Sequence, residues 1–279
     1  MREISAEQIK ETVKKLCIEA CCVLPQDVKA CIESCRAAEP WPAARGILDM
    51  IVDNYNTAEE GMMPICQDTG MACVFLEVGQ DVHITGDLKD AVNRGVAEGY
   101  TEGYLRKSVV GDPIERVNTG DNTPAVIYTD IVPGDCVTVT VAPKGFGSEN
   151  MSRIGMLKPA DGLEGVKRFI LETVKAAGPN PCPPIVVGVG IGGTFDKAAY
   201  MAKRALLRPL DDSADEEFYA KLEDELLEKI NALGMGPQGL GGKTYALAVK
   251  IEHMATHIAG LPVAVNINCH VARHKTEVI

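Results

Sequence analysis

The stretch "PPIVVGVGIGGTFDKAAYMAKRALLR", residues 183–208, indicates the fold more clearly than any other part of the chain. It begins with a short apolar run typical of a buried strand and continues into a segment with a helical pattern. A glycine-rich segment, residues 188–193, joins the two. A strand that leads directly into a helix predicts a protein in which both elements share one core.

The sequence on either side predicts a mixed α/β (α+β) protein without regular βα alternation. Ser5 and Gln8 form a capping box in front of the first helical pattern. Further helical patterns lie near residues 26–37, 43–58, 87–107, 162–177, 194–207 and 214–232. We predict a single domain, with an N-terminal helical lobe of about residues 1–60 and an α/β body of about 61–279 that contains short mixed sheets. The turn signal "PGD" predicts a hairpin between the strands "AVIYTDIV" and "CVTVTVA".

Composition and charge exclude several classes of protein. The chain has 279 residues, of which 46% are apolar and 24% are charged, as in ordinary soluble globular proteins. Its net charge of −11 argues against general binding to nucleic acids or anionic membranes. No apolar run approaches the roughly 18 residues needed to span a bilayer, and the N-terminus does not have the pattern of a signal peptide. We therefore expect a cytoplasmic protein.

The glycine-rich segment 188–193 also fits the dinucleotide-binding pattern G-x-G-x-x-G. In that fingerprint an acidic residue ends a second parallel strand about twenty residues on. Asp211 and Asp212 have this spacing, but the sequence before them is not typical of a strand. We therefore interpret the glycines as positions where another part of the backbone comes close, with a nicotinamide oxidoreductase as the weaker alternative.

Five of the ten cysteines lie within residues 17–35. On a helix, Cys17 and Cys21 would be one turn apart, as would Cys31 and Cys35, so a zinc site is conceivable. There is no C-x-x-C pair and no nearby histidine, and the neighbouring apolar residues share the same helical faces. We interpret these cysteines as small buried hydrophobic residues, reduced as in other cytosolic proteins.

His253 and His257 have the spacing of a zinc-binding pair on a helix. Met254 takes the position that the catalytic glutamate has in the H-E-x-x-H motif. From the spacing alone we therefore predict two structural histidines on a helix.

Three isolated cysteines, Cys66, Cys182 and Cys269, lie where the chain leaves regular structure. The proline after Cys182 predicts an extended backbone at that residue. Three thiolates from distant segments suit a zinc site with one further ligand, or a [4Fe–4S] cluster in which one iron has no cysteine. The spacing does not distinguish these two possibilities.

Five motifs resemble, in this order, the α-type half of class I fumarases and L(+)-tartrate dehydratases. They are "PICQDTG", "KGFGSENMS", "CPPIVVGVGIGGTFDKAAYMAKRALLR", "GPQGLGGKTYALAVKIE" and "PVAVNINCHVARHK". That family consists of iron–sulfur hydro-lyases in which one cysteine from each of three motifs binds a [4Fe–4S] cluster. The matching positions here are Cys66, Cys182 and Cys269. The resemblance, rather than the spacing, favours iron–sulfur over zinc.

The resemblance implies the reversible hydration of fumarate to malate, a reaction of the citric acid cycle, with the open cluster iron as Lewis acid. Gln67 would donate a hydrogen bond to a substrate carboxylate. Asp68 would contact the substrate and take part in proton handling, or hold a ligand water. Arg106 matches a carboxylate-binding arginine, a task that suits a guanidinium. His257 matches an active-site histidine.

Further site residues are implied for the motif "KGFGSEN". Gly145 and Gly147 would bring backbone N–H groups close to the substrate. Nearby basic residues would add positive potential; they are Lys144, Arg153 and Lys158. The resemblance thus predicts a site built on loops from several parts of the chain.

Single-chain members of the family continue into a C-terminal domain that supplies the remaining site residues, whereas this chain ends at Ile279. We therefore expect an α subunit that forms a hetero-oligomer with a β-type subunit and is inactive alone. Dehydration of L(+)-tartrate is the close alternative, because it uses the same cluster chemistry. A non-catalytic iron–sulfur or zinc binding module is the alternative from another class, although it would not need Gln67, Asp68 and Arg106.

Overall fold

A computed structural model describes residues 1–279 as a mixed α/β protein, which confirms the predicted class. The helices are α1 (Ala6–Cys22), α2 (Gln26–Ala38), α3 (Pro42–Gly61), α4 (Leu88–Glu102), α5 (Phe146–Glu149), α6 (Gly162–Ala177), α7 (Phe195–Ala205) and α8 (Glu217–Asn231). The strands are β1 (Arg2–Ser5), β2 (Met71–Gly79), β3 (Val82–Thr85), β4 (Val126–Val132), β5 (Val137–Lys144), β6 (Arg153–Leu157), β7 (Ile185–Gly193), β8 (Ala246–Thr256), β9 (Leu261–Asn268) and β10 (Lys275–Val278). None of the helices has the length and apolar character that crossing a membrane requires.

The chain forms two compact units, and each is built from separate stretches of sequence. The first unit contains Met1–Pro25, Asn54–Phe146 and Arg273–Ile279. The second contains Gln26–Asp53 and Gly147–Ala272. These boundaries differ from the predicted division near residue 60, because α1 is part of the first unit and α2 is part of the second.

The first unit is built on a four-stranded mixed sheet with the order β10-β5-β2-β4. Its helix α1 begins at the predicted capping box, in which the Gln8 N–H donates to Ser5 Oγ at 3.2 Å. Apolar residues of α1 and α4, such as Val13 and Val96, share one core with Val74 of the sheet. Because both helices present an apolar stripe to this sheet, burial of that stripe stabilises the unit.

The predicted hairpin between β4 and β5 is wrong. Both strands pair with β2, β4 in parallel and β5 antiparallel, so β2 lies between them. The turn between β4 and β5 exists, with Gly134 at φ +116°. A turn signal shows where the chain reverses, but the partner of a strand is decided by which other strand can cover its edge. Since most residues of β2 are buried, it takes the central position.

The second unit contains a four-stranded mixed sheet with the order β6-β9-β7-β8. Strand β7 is the strand of the glycine-rich segment, and α7 packs against it. A Cβ atom at Gly188 would lie 2.1 Å from the Ala202 carbonyl oxygen, and one at Gly190 would lie 2.1 Å from that of Ala198. These glycines therefore let the helix backbone approach the strand, which confirms the interpretation from sequence.

Replacing Gly190 by Ala should lower the free energy of unfolding by about 3 kcal/mol, because the new methyl group would overlap a backbone carbonyl that cannot move alone. Urea unfolding followed by circular dichroism measures this change. Gly46→Ala is the matched control, since Gly46 lies in α3 with no atom within 4 Å of an added Cβ. That variant should gain about 0.5 to 1 kcal/mol from its better helix propensity. Equal stabilities of the two variants would contradict the packing argument.

Candidate functional site

The first group of predicted site residues lies on the Cys66–Gly70 loop of the first unit, between α3 and β2. Cys66 and Gln67 are exposed on this loop, and Asp68 is half-buried. The Asp68 carboxylate accepts hydrogen bonds from the N–H of Gly70 through Oδ1 and from the N–H of Phe146 through Oδ2, each at 3.0 Å. Asp68 therefore connects the loop to the start of α5.

Buried partners fix the end of the Cys66–Gly70 loop. The Tyr100 hydroxyl donates to the Thr69 carbonyl at 2.8 Å, and the Asn122 side chain donates to the Gly70 carbonyl at 3.2 Å. Gly70 itself has φ +76°, and a Cβ there would lie 2.7 Å from the backbone of Lys144. Because these polar partners are inside the unit, Cys66 and Gln67 project from a backbone that is held in one conformation.

Arg106 lies on a loop and not on the predicted helix. Helix α4 ends at Glu102, and Tyr104 has φ +53°, a conformation that does not continue a helix. The Arg106 carbonyl accepts a hydrogen bond from the Thr69 hydroxyl at 2.9 Å, so the Arg106 loop is attached to the Cys66–Gly70 loop. Its side chain is exposed and makes no ion pair. The structure thus brings Arg106 to the loop of Gln67 and Asp68.

The "KGFG" segment contributes close backbone contacts. In the first unit, a Cβ at Gly145 would lie 3.2 Å from Asp68 Oδ2, and Lys144 is buried with Nζ donating to the Gly145 carbonyl at 3.2 Å. In the second unit, Gly147 lies against the Asn180 carbonyl, 3.5 Å from where a Cβ would be. Because Lys144 is buried and its Nζ binds a backbone carbonyl, we interpret it as a cation that stabilises this segment.

The other two predicted basic residues have local partners in the second unit. The Arg153 guanidinium lies over the ring of Phe169, 5.5 Å from its centroid. The backbone N–H of Lys158 donates to Asp161 Oδ2 at 2.8 Å. Nothing in these contacts connects either side chain to the cysteines of this unit.

Cys182 and Cys269 meet at one edge of the second sheet. Cys182 precedes β7 and Cys269 follows β9, and these strands are antiparallel neighbours, so the two cysteines lie at the same end. His270 connects the two segments, with Nδ1 and the Cys182 carbonyl oxygen 2.9 Å apart. The Gln238 side chain donates to the next carbonyl, that of Pro183, at 2.7 Å. The structure therefore joins two of the three predicted ligand segments directly.

Cys182 does not have the extended backbone predicted from the proline that follows it. Its φ is +55°, in the left-handed region that residues other than glycine rarely adopt. Its N–H donates to the Pro179 carbonyl at 3.1 Å, which closes a turn, and its carbonyl is held by His270. These tertiary hydrogen bonds override the local preference. Such conformations are concentrated at functional sites.

The histidine pair is not on a helix, so that prediction is wrong. His253 lies on β8, where its ring stacks on Tyr219 and Nε2 lies 3.2 Å from a Glu216 carboxylate oxygen. His257 is exposed in the turn after β8. Because β8 runs parallel to β7, this turn is at the end of the sheet opposite to Cys182. A nine-residue strand such as β7 spans about 30 Å, so the structure does not bring His257 to Cys182 and Cys269.

The remaining cysteines have other environments. Cys17, Cys21 and Cys22 are buried, which confirms their interpretation as core residues. Burial raises the pKa of Cys21 to about 11, so its thiol stays protonated. Cys31 and Cys35 are half-buried on α2, and a hydrogen bond from Cys31 lowers the pKa of Cys35 to about 7. The predicted ligands differ from the buried thiols, because Cys66 and Cys182 are exposed.

Three residues that fix the backbone of the site were not predicted from the sequence: Asn122, His270 and Arg273. Asn122 is buried, and its Oδ1 accepts from the N–H of Ser108 at 2.7 Å while its Nδ2 binds the Gly70 carbonyl. Arg273 binds the Asp68 carbonyl. His270 and Arg273 lie in the same sequence motif as Cys269, and that position was the signal by which they could have been found. Asn122 has no comparable signal, since its role depends on distant carbonyls.

The donor chemistry of these cysteines fits a thiolate-bound group. Cys66, Cys182 and Cys269 lie on loops and are not in disulfide bonds, and iron–sulfur clusters and zinc both take thiolate ligands. The structure groups no three or more His, Cys, Asp or Glu side chains so as to hold a metal ion. The three loop cysteines are therefore candidate ligands on their chemistry and on the sequence motifs.

Comparison with known proteins is consistent with the sequence motifs. A family model described as Fumarate hydratase (Fumerase) matches residues 10–278. A protein of Methanocaldococcus jannaschii, provisionally named as an L(+)-tartrate dehydratase subunit alpha, is 44% identical over 94% of this chain and 94% of its own length. The L(+)-tartrate dehydratase subunit alpha of Escherichia coli (strain K12) is 34% identical over 92% of this chain and 86% of its own length. The chain therefore belongs to the fumarate hydratase family.

Proposed function

We propose that this hydro-lyase is the α subunit of a [4Fe–4S] enzyme that interconverts fumarate and malate. The observation that supports this best is the contact between His270, the residue after Cys269, and the Cys182 carbonyl at one end of the second sheet. A structural thiol would not need an exposed position on a strained backbone, whereas a cluster ligand does need an accessible and oriented sulfur.

Cys66, Cys182 and Cys269 would hold the cluster in this proposal. When bound, the cluster supplies a Lewis acid, an iron without a cysteine ligand, for a hydroxyl group that otherwise leaves poorly. The residues of the chain bind and orient the substrate. His257 keeps its predicted catalytic role as a separate hypothesis, and the proposed site is built without it.

Arg106 would bind one substrate carboxylate in this proposal. Its guanidinium is exposed, makes no ion pair, and presents paired N–H donors in the geometry that a carboxylate accepts. Gln67 is the second donor, because its side chain amide is exposed on the attached loop. Asp68 would hold a proton or a water only with the lone pairs that remain beside its two backbone hydrogen bonds.

The N–H groups of Gly145 and Gly147 would complete the set of donors. Charge develops on the carboxylate as the proton next to it leaves, and fixed donors stabilise that charge without having to reorganise. Both residues lack a side chain next to a close neighbour, Asp68 for Gly145 and Asn180 for Gly147. Neither residue has a side chain that would cover its own backbone N–H group.

L(+)-tartrate is the second candidate substrate. Relatives that are 34% to 44% identical over most of their length carry the name L(+)-tartrate dehydratase subunit alpha. Tartrate has the same two carboxylates and one more hydroxyl group than malate, so Arg106 and Gln67 would bind it in the same way. Discrimination would require a group that hydrogen-bonds the second hydroxyl.

The same names support a β-type subunit as partner, since these relatives are alpha subunits. We propose that the partner supplies the remaining substrate contacts, including the group that removes the proton. This chain alone would then bind a cluster without turning over substrate.

The test is anaerobic co-expression with a β-type subunit from the same organism, followed by assays on malate, fumarate and L(+)-tartrate. We expect turnover of at least one dicarboxylate by the complex, the iron–sulfur absorption of a reconstituted cluster, and no turnover by the isolated chain. If the complex turned over L(+)-tartrate but not malate, L(+)-tartrate would be its substrate and the proposed interconversion of fumarate and malate would be wrong. A complex with a full cluster and no activity on any of them would overturn the enzyme and favour a binding module.

A further inference from the structure

Arg273 is a buried cation that contacts two segments of the first unit. Only 4% of its surface is exposed. Its Nη2 donates to the Asp68 carbonyl at 2.5 Å, and its Nε donates to the Pro143 carbonyl at 3.3 Å. One guanidinium therefore joins the Cys66–Gly70 loop to the end of β5, which are far apart in sequence.

The side chain of Asp68 makes a second connection between the same two segments. Its Oδ2 accepts from the N–H of Phe146, three residues beyond Pro143, and its Oδ1 accepts from Gly70 within the loop. Asp68 is thus held through its carbonyl by Arg273 and through its carboxylate by backbone N–H groups. Asp68, which lies between Gln67 and β2, therefore has little freedom to rotate.

The geometry of this contact suits a guanidinium. A guanidinium presents donors that point in fixed, divergent directions, so it can bind two carbonyls at once, whereas an ammonium is a compact point charge. Burying a cation costs free energy that a purely structural contact would not require. Since a neutral donor such as a glutamine could fill a gap in the core, the cost indicates that the position of the loop matters.

We propose that Arg273 is a positioning residue, which fixes the Cys66–Gly70 loop against the "PKG" end of β5 so that Cys66 and Gln67 keep one orientation. The fixed position of the loop follows from these contacts alone. Its consequence for catalysis rests on the proposed function, because it assumes that Gln67 contacts the substrate.

The first experiment measures the loop without a cluster or substrate. The reduced apoprotein and its Arg273→Lys variant are treated with iodoacetamide, and the alkylation rate of each cysteine is followed by mass spectrometry. We expect the Cys66 rate to change at least threefold in the variant, because the donors of a lysine lie on one atom and do not match the separate positions of Nε and Nη2. The Cys182 rate, which reports the second unit, should stay the same. An unchanged Cys66 rate in the folded variant would overturn the proposal.

Arg2→Lys is the matched control. Arg2 also donates from Nη1 to a backbone carbonyl of the first unit, that of Asp135 at 3.2 Å, but at the surface. Its replacement should leave the Cys66 rate unchanged. Arg273→Gln is the second variant, in case the Arg273→Lys variant does not fold. If neither Arg273 variant folds while Arg2→Lys does, as judged by circular dichroism, Arg273 is a stability residue and the proposal is wrong.

The second experiment tests the catalytic consequence in the assembled enzyme. Arg273→Lys should lower kcat/KM at least tenfold in a wild-type background and much less in a Gln67→Ala background, because the arginine acts through that loop. Equal losses in both backgrounds would overturn the positioning role. A wild-type complex without hydro-lyase activity would instead overturn the proposed function, and the alkylation result would stand independently.

Discussion

Serine in place of Cys66, Cys182 or Cys269 should remove both the cluster and the activity of the assembled enzyme. A serine hydroxyl has nearly the size of the thiol, but it does not ionise at neutral pH and is not the soft ligand that iron–sulfur clusters take. Activity should fall to background in each variant. Iron content and visible absorption of the reconstituted protein measure the loss of the cluster.

The fold should survive these three replacements, because none of the thiols is a core residue. Ser at position 182 can keep the turn closed by the Pro179 carbonyl, since that hydrogen bond uses the backbone N–H. Cys136→Ser is the control, at a half-buried thiol whose sulfur accepts a hydrogen bond from Arg2. It should keep full iron content. Full iron content in all three site variants would refute the ligand assignment.

Arg106→Ala should lower kcat/KM about a hundredfold, mainly through KM. Two hydrogen bonds from a guanidinium to a substrate carboxylate contribute about 3 kcal/mol together, and a tenfold change in rate corresponds to about 1.4 kcal/mol. Arg106→Lys keeps the charge without the paired geometry, so an intermediate loss is expected. Steady-state kinetics with malate or L(+)-tartrate measure both variants.

The control for this prediction is Arg94→Ala, on the exposed face of α4. Arg94 forms surface ion pairs with Asp90 at 2.8 Å and Glu7 at 3.0 Å, and such pairs contribute little. Its removal should leave kcat/KM within about twofold, since it faces solvent and its partners Glu7 and Asp90 are not residues of the proposed site. If Arg106→Ala behaved like Arg94→Ala, the carboxylate would have to bind elsewhere.

Local sequence signals predicted those parts of the fold that depend on neighbouring residues. The capping box of Ser5 and Gln8 starts α1, because both hydrogen bonds join residues three apart in the chain. Apolar periodicity identified the main helices and strands, since burial of one face decides them. The glycines of β7 were interpreted correctly as sites of close approach, because only a missing Cβ allows it.

Predictions failed where a distant partner decides the conformation. Strand β5 pairs with β2 and not with its neighbour β4. His253 belongs to β8, because pairing with β7 continues further than the local pattern indicated. At Cys182 the turn and the hydrogen bond from His270 override the preference that a following proline imposes.

For the candidate site, the sequence by itself determined the residue types: cysteines at loop positions, an amide and a carboxylate after Cys66, and an arginine after α4. Tertiary structure alone decided which of them lie together. The antiparallel pairing of β7 and β9 brings Cys182 next to the segment of Cys269, and it leaves His257 at the other end of the sheet. Hydrogen bonds from Asn122 and Arg273 attach the Cys66–Gly70 loop to its unit. Such contacts join residues with no local signature, because a backbone carbonyl is the same in every residue and its partner is chosen by the fold.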